Sequence, residues 1–150
     1  MNDAAFRPEW DALLSNFNKL LGMHILEWSD GAVTLALDMT ERHHNRSNVL
    51  HGGVLATMID AAGGYAGCYC PDPGRVRKTL TLSLTTNFLA PAAAGRIFAR
   101  ARVRGGGTKI YVSTVECSDE TGKLLAIGEG VFRYRSGSET PQGVARAAKD

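Results

Sequence analysis

The chain has 150 residues, of which 44% are hydrophobic and 21% are charged, and its formal net charge is +2. This length and composition are typical of one soluble globular domain and leave little room for a second. We expect no signal peptide, because the segment from Met1 to Asp11 is polar and contains Asp3, Arg7 and Glu9. The three cysteines form no CxxC motif and are expected to be reduced thiols of a cytoplasmic protein.

The hydrophobic pattern predicts a helix, two strands, a buried helix and four strands, in that order. Apolar residues recur at helical spacing behind Pro8, whereas residues 96–104 alternate with a period of two, as in a strand. Turns such as Asp119-Glu-Thr-Gly122 separate the later strands. The predicted helices are 8–21 and 53–69, the predicted strands are 23–28, 32–39, 79–89, 96–104, 110–118 and 124–134, and the polar tail at 136–150 is expected to be a loose end or a short surface helix.

An α+β fold follows from this order of elements. An antiparallel sheet offers one face to a core, and one long apolar helix covers that face. We therefore expect a single domain at 1–150 with a core at about 21–134. The central helix is so poor in charge that it must be covered on nearly every side. Because one sheet covers only part of it, a second copy of the chain is expected to cover the remainder.

The segment from Val49 to Pro71 is long and apolar enough to suggest a membrane span. Its glycines, together with His51 and Asp60, favour a buried helix instead, and no membrane association is expected. Asp60 is the only Asp, Glu, Lys or Arg in this segment. An ionised carboxylate in apolar surroundings is costly unless it is paired, hydrogen-bonded or used in chemistry. Asp60 is therefore a candidate catalytic residue, or else a carboxylate that caps a turn or pairs with a basic residue.

His51-Gly52-Gly53 stands at the predicted start of the same helix. Glycines leave the backbone N–H groups open to a ligand, and these groups with the helix dipole form an anion or oxyanion site. Alternatively, the glycines only permit tight packing of the helix on the sheet. His51 either orients the turn by hydrogen bonding or simply caps it. Asp60 lies eight residues after Gly52, or roughly 12 Å along a helix axis, whereas catalytic groups must approach a carbonyl within roughly 3 to 3.5 Å. The two therefore form one site only between antiparallel helices of two chains related by a two-fold axis.

A basic region from Pro73 to Val115 contains no Asp or Glu. It suits a polyanionic partner, either nucleic acid or a phosphorylated small molecule, although a solvated strand face explains the same charges. Alternation within 96–104 predicts that its arginines point away from the core. The basic residues of the region are Arg75, Arg77, Lys78, Arg96, Arg100, Arg102, Arg104 and Lys109.

Other catalytic chemistries lack their sequence motifs. His43, His44 and His51 have no Cys or carboxylate at ligand spacing, so no metal is expected. The chain contains no GxSxG elbow, and no Ser or Cys stands in a recognisable nucleophile context. The residues therefore favour a carboxylate mechanism.

Asn45, His51-Gly52-Gly53 and Asp60 together resemble the signature of hotdog-fold acyl-CoA thioesterases. The resemblance is to the phenylacetate-degradation (PaaI-like) group, which is similar to one 4-hydroxybenzoyl-CoA thioesterase lineage. The likeness continues through 79–92, with the family's Leu-x-Pro-Ala turn at 89–92, and through 95–104, 112–117 and 122–130. It implies an antiparallel sheet wrapped around the central helix, dimerised with sheets and helices side by side, and often paired again into a homotetramer.

The resemblance further implies hydrolysis of an acyl-CoA, aryl or fatty acyl, to a free acid and coenzyme A, with no other cofactor. Asp60 would be the nucleophile or general base. The Gly52 N–H of the facing subunit, with Gly53 beside it, would polarise the thioester carbonyl. Asn45 would hydrogen-bond near the thiolate leaving group or water, and His51 would support the loop.

Thr81 lies where the family often has a Ser or Thr that positions water. Many relatives carry Gly where this chain has Asn48, which bears on the placement of the loop. Coenzyme A would account for part of the basic region, with its phosphates near Arg75, Arg77, Lys78, Arg104 or Lys109. A non-catalytic acyl-CoA-binding module and a hydratase remain alternatives, and only charge favours nucleic-acid binding.

Overall fold

The structure, a computed structural model, describes residues 7–148. The predicted central helix and the six long predicted strands are all present, with ends within three residues of the predicted ones. In the described range the helices are α1 (Pro8–Asp11), α2 (Asn16–Leu20) and α3 (Gly52–Ala66), a 3-10 turn spans Glu41–His43, and the strands are β1 (Met23–Ser29), β2 (Ala32–Asp38), β3 (Arg75–Val76), β4 (Thr79–Phe88), β5 (Arg96–Gly106), β6 (Ile110–Asp119), β7 (Leu124–Tyr134) and β8 (Val144–Ala145).

Six strands form one sheet in the order β1-β2-β5-β6-β7-β4, and all of its pairs are antiparallel. Helix α3 lies across one face and contacts β2, β4, β5, β6 and β7. The core lies between them, because Met58 and Ile59 of α3 and Leu35 and Ile97 of the sheet are fully buried. The predicted α+β architecture is confirmed.

Side chains of the sheet bond to the carbonyl groups at the end of α3. The last carbonyls of a helix have no partner inside it and must be satisfied elsewhere. The Tyr111 hydroxyl donates to the carbonyl of Gly64 at 2.7 Å, and the Ser113 hydroxyl donates to that of Gly63 at 2.9 Å. The Tyr134 hydroxyl donates in the same way to Gly67 at 2.7 Å. These bonds hold the helix in one position against β6 and β7.

The predicted single helix at 8–21 is wrong, because the segment contains two short helices with a turn between them. Tyr65 of α3 determines this turn: its hydroxyl donates to the carbonyl of Leu13 at 2.9 Å and accepts from the Ser15 N–H at 3.2 Å. The Ser15 hydroxyl then caps α2 by accepting from the Asn18 N–H at 3.2 Å. A tertiary partner 50 residues away thus replaces the helical bonds that the periodicity predicts.

The tail differs from the prediction of a loose end or a surface helix. Strand β8 pairs antiparallel with β3 in a separate two-stranded sheet. The Arg75 guanidinium donates to the carbonyls of Gln142 at 2.6 Å and Gly143 at 2.8 Å. The Arg77 guanidinium donates to the carbonyls of Ser138 and Glu139 and lies 4.2 Å from the ring centroid of Tyr134. These contacts between distant segments explain why local composition did not predict the ordered tail.

Strand β4 is an edge strand whose leucines remain exposed. Leu80 and Leu82 are each 53% exposed, and Phe88 is 57% exposed. One stripe of α3 is also incompletely covered: Gly53, Ala56, Thr57, Asp60 and Gly64 recur at helical spacing and are exposed or half-buried. Within residues 7–148, no helix has the length and hydropathy needed to cross a membrane.

Candidate active site

Asp60 lies on the uncovered stripe of α3, where Thr81 of β4 contacts it. The Thr81 hydroxyl donates to Oδ1 of Asp60 at 2.6 Å. The register of β4 against β7 shifts between Thr81 and Ser83, and such a bulge changes the direction of neighbouring side chains. The structure thus brings two predicted site residues together within one chain, although they are 21 positions apart in sequence.

An open groove runs beside this pair and has a volume of about 380 Å³. Ala56, Thr57, Asp60 and Ala61 of α3 line one side of it. Leu84 of β4 also lines the groove. The lining is completed by three residues near the start of the chain, Ser15, Phe17 and Asn18. Sequence reasoning missed these three residues and Leu84, because nothing local to either segment indicates that they meet beside Asp60.

His51 caps the start of α3. Nδ1 of His51 accepts from the Gly53 N–H at 2.8 Å, and the backbone N–H of His51 donates to the carbonyl of His43 at 2.8 Å. The Gly53 N–H is therefore already bonded, whereas in the described part of the chain the Gly52 N–H donates to no protein acceptor. The ring of Phe88 lies beside Gly52, where an added Cβ would stand 3.2 Å from Cε1. The helix start thus offers the Gly52 N–H as a donor.

Asn45 shapes the loop before the helix. Its Oδ1 accepts from the Ser47 N–H at 2.8 Å and from the Val49 N–H at 3.4 Å. Asn48 has a φ of 58°, in the left-handed region that favours glycine and that Asn tolerates better than most side chains. With Asn48, the loop therefore reaches a conformation that a glycine would readily adopt.

The predicted site residues form two groups within one chain. Asp60 and Thr81 form the first, and Asn45, His51 and Gly52 form the second, at the start of the helix. Both Gly52 and Asp60 lie on α3, so their separation stays at about 12 Å along the axis. One chain does not bring the two groups to a common atom.

The basic residues predicted near coenzyme A are dispersed. The Arg75 and Arg77 guanidinium groups donate to carbonyls of the tail, and the backbone N–H of Lys78 donates to the Ser138 hydroxyl at 3.0 Å. Lys109 is exposed beside the β5–β6 turn. Arg104 lies with Arg100 and Arg102 in a shallow concavity of about 570 Å³ on the sheet, and its Nε donates to Thr114 at 2.6 Å. The prediction that the strand arginines point away from the core is confirmed, because Ile97, Ala99 and Ala101 between them are buried.

The histidines considered for a metal make other contacts. Nδ1 of His43 accepts from the Thr40 N–H, and its Nε2 lies 2.9 Å from the Leu21 carbonyl. Nε2 of His44 lies 3.2 Å from the Ala93 carbonyl. Across the described residues, no three His, Cys, Asp or Glu side chains are grouped as metal ligands.

Comparison with known proteins identifies the family of this site. The family model described as the thioesterase superfamily matches residues 47–126, which include the loop after Asn45, all of α3 and Thr81. The chain belongs to the thioesterase superfamily. Human acyl-coenzyme A thioesterase 13 is 29% identical to this thioesterase over 116 residues, which cover 75% of this chain and 81% of that protein. The 1,4-dihydroxy-2-naphthoyl-CoA hydrolase of Listeria monocytogenes is 29% identical over 107 residues, which cover 71% and 85% of the two chains.

Solved structures agree with this assignment. The E. coli PaaI protein from the phenylacetic acid degradation operon superposes on this thioesterase with a TM-score of 0.75 at 26% identity, over 87% of this chain and 92% of that one. A thioesterase from Haemophilus influenzae superposes with a TM-score of 0.76 at 26% identity, over the same shares of the two chains. The thioesterase has the hotdog fold and is a thioester hydrolase. The groove residues Ser15, Phe17 and Asn18 lie outside the matched span 47–126.

Proposed function

We propose that this thioesterase hydrolyses acyl-CoA thioesters with Asp60 as the catalytic carboxylate. The observation that carries the proposal is the 2.6 Å hydrogen bond from Thr81 to Asp60, in a groove large enough to hold an acyl group. Such pockets commonly have volumes of about 300–1,000 Å³. The names of the relatives, an acyl-coenzyme A thioesterase and a naphthoyl-CoA hydrolase, support the same substrate class.

In the proposed reaction, Thr81 holds one oxygen of the Asp60 carboxylate and leaves the other for chemistry. That oxygen either attacks the thioester carbon or removes a proton from a water that attacks it. In both routes the C–S bond breaks, coenzyme A leaves as the thiolate and is protonated, and water supplies the second oxygen of the acid. Thr81 restrains the orientation of the carboxylate in each case.

The Gly52 N–H of the same chain lies too far along α3 to donate to a carbonyl oxygen beside Asp60. In a two-fold dimer with antiparallel α3 helices, the Gly52 N–H of one chain approaches Asp60 of the other. The exposed edge of β4 and the uncovered stripe of α3 support such a dimer, because both leave surface for a second copy to cover. Since His51 binds the Gly53 N–H, Gly52 is the proposed oxyanion donor.

The proposed assembly is a cytoplasmic homodimer, which pairs again into a homotetramer as the family resemblance implies. Asn45 would act near the leaving thiolate from the same loop as Gly52. Among the basic residues, Lys78, Arg104 and Lys109 remain candidates for the coenzyme A phosphates. Arg75 and Arg77 are weaker candidates, because four backbone carbonyls of the tail accept hydrogen bonds from their guanidinium groups.

The test is the release of free thiol from a panel of aryl and fatty acyl-CoAs by the wild type and by Asp60→Asn. The substitution keeps the shape of the side chain but removes the charge, and we expect kcat to fall by about 10²–10⁴-fold. Thr81→Val should lower kcat less, and Thr81→Ser is its matched control because it retains the hydroxyl. Wild-type rates in Asp60→Asn, or binding of every thioester without turnover by the wild type, would overturn the proposal.

A further inference from the structure

Phe17 is a large aromatic residue that folding leaves 56% exposed at the rim of the Asp60 groove. Leu84 lines the same groove and is 36% exposed. The lining also includes Ala56 and Ala61, whose small side chains leave room above the helix. The groove therefore combines an apolar wall with the candidate catalytic carboxylate, which suits the apolar body of an acyl group next to its reacting carbonyl.

The wall that contains Phe17 is held in place rather than loosely attached. The Tyr65 hydroxyl bonds to both Leu13 and Ser15, immediately before α2. Burial raises the pKa of Tyr65 to about 12, so this hydroxyl keeps its proton across the physiological range. Tyr65 lies on the same helix as Asp60, and the position of the wall relative to the carboxylate is thus determined by one rigid element.

A second attachment lies upstream. One oxygen of the Asp11 carboxylate accepts from the Ile25 N–H at 2.8 Å, and the other lies 2.7 Å from Nδ1 of His24. These contacts connect the end of α1 to β1. With both attachments in place, the exposure of Phe17 is a property of an ordered surface of the single chain, and its ring lines the groove beside Asp60.

We infer that Phe17 determines acyl specificity: the acyl group of the bound thioester packs between Phe17 and Leu84, and Tyr65 is a positioning residue for this wall. The inference rests on the proposed function. It assigns a substrate class, thioesters whose acyl group has an apolar body large enough to reach Phe17, such as an aryl acyl group. An acetyl group is too short to use this contact.

The experiment compares kcat/KM for benzoyl-CoA with kcat/KM for acetyl-CoA. Phe17→Ala is expected to lower the ratio of the two values about tenfold, a size typical of one lost apolar contact in a specificity pocket. Leu20→Ala is the matched control, because Leu20 lies on the same short helix, is 79% exposed and does not line the groove. Its ratio should equal that of the wild type, and Phe17→Leu should recover part of the lost discrimination.

Tyr65→Phe tests the positioning role, since it removes the hydroxyl and keeps the ring. It should shift the ratio in the same direction as Phe17→Ala by about threefold, mainly through KM for benzoyl-CoA, as expected for lost ground-state binding. A fall in kcat of the same size with both thioesters would indicate a merely structural role and would overturn the assignment of Tyr65.

Binding measurements separate this inference from the proposed function. Titration calorimetry of benzoyl-CoA into Asp60→Asn, with and without Phe17→Ala, measures the affinity for the thioester in the absence of turnover. About tenfold weaker binding in the double variant supports the inference even if Asp60 proves not to be catalytic. Equal binding overturns it, and so does dissociation of the Phe17→Ala oligomer into monomers, because the wall would then be an interface with a second copy.

Discussion

Gly63 and Gly64 are adjacent on α3, yet alanine should have opposite effects at the two positions. An added Cβ at Gly63 would stand 2.6 Å from Cζ and 2.9 Å from Cε2 of Phe132. At Gly64 the nearest atoms would be Cε1 of Phe132 at 3.6 Å and Oγ1 of Thr79 at 3.7 Å. Carbon atoms in contact normally lie about 3.5–4.0 Å apart. Within one chain, only Gly63→Ala therefore forces a neighbouring side chain to move.

Phe132 has little freedom to move. It is 1% exposed and stacks on Tyr111 with ring centroids 5.3 Å apart. Overpacking of this kind costs about 1–3 kcal/mol, while replacing glycine in a helix gains about 0.5–1 kcal/mol. We expect Gly63→Ala to lower the free energy of unfolding by about 1 kcal/mol and Gly64→Ala to raise it by about 0.5–1 kcal/mol.

Thermal unfolding of both variants at one protein concentration measures this difference. A gap of about 2 kcal/mol corresponds to roughly 4–8 °C in Tm for a chain of this length. Equal concentrations are needed because assembly contributes to the apparent stability. A Gly63→Ala variant as stable as Gly64→Ala would refute the argument that close contact with Phe132 requires glycine at position 63.

Two further predictions concern thiols and pH. Burial raises the pKa of Cys68 and raises that of Cys117 to about 12. A thiol reagent at pH 8 should therefore label only the half-buried Cys70 in the native protein, and all three cysteines after denaturation. Labelling of Cys117 without unfolding would contradict this prediction. The hydrogen bonds and charge of Arg96 hold the pKa of Asp38 below its usual range. The ion pair therefore stabilises the fold at pH values above the unfolded-state pKa of about 4. This stabilisation is lost as the pH falls through the lowered pKa of the folded state. Arg96→Ala should cost about 0.5–1 kcal/mol at pH 7, since both side chains are largely exposed, and chemical denaturation should give a smaller difference from the wild type near pH 3.

The order of elements was predictable because hydrophobic periodicity is a local property. The alternation in 96–104 correctly separates arginines from buried Ile97, Ala99 and Ala101, and the isolated charge of Asp60 correctly indicates a residue with a polar partner. Helical periodicity predicted one helix at 8–21, but the segment forms two short helices, and Phe17 and Leu20 of the second are 56% and 79% exposed. The apolar spacing is helical, but the hydrogen bonds of Tyr65 to Leu13 and Ser15 end the first helix.

The sequence by itself determined the fold class, the start of α3 at a glycine pair, and the inability of Gly52 and Asp60 to act on one carbonyl within a chain. These follow from rise per residue, side-chain period and the cost of an unpaired charge. Only the tertiary structure decided that Thr81 bonds to Asp60 and that the start of the chain lines the groove. It also decided that His51 binds the Gly53 N–H, while the Gly52 N–H has no protein acceptor among residues 7–148. The physical reason is that these contacts join segments far apart in sequence, where a bulge or a single hydroxyl determines which side chains meet.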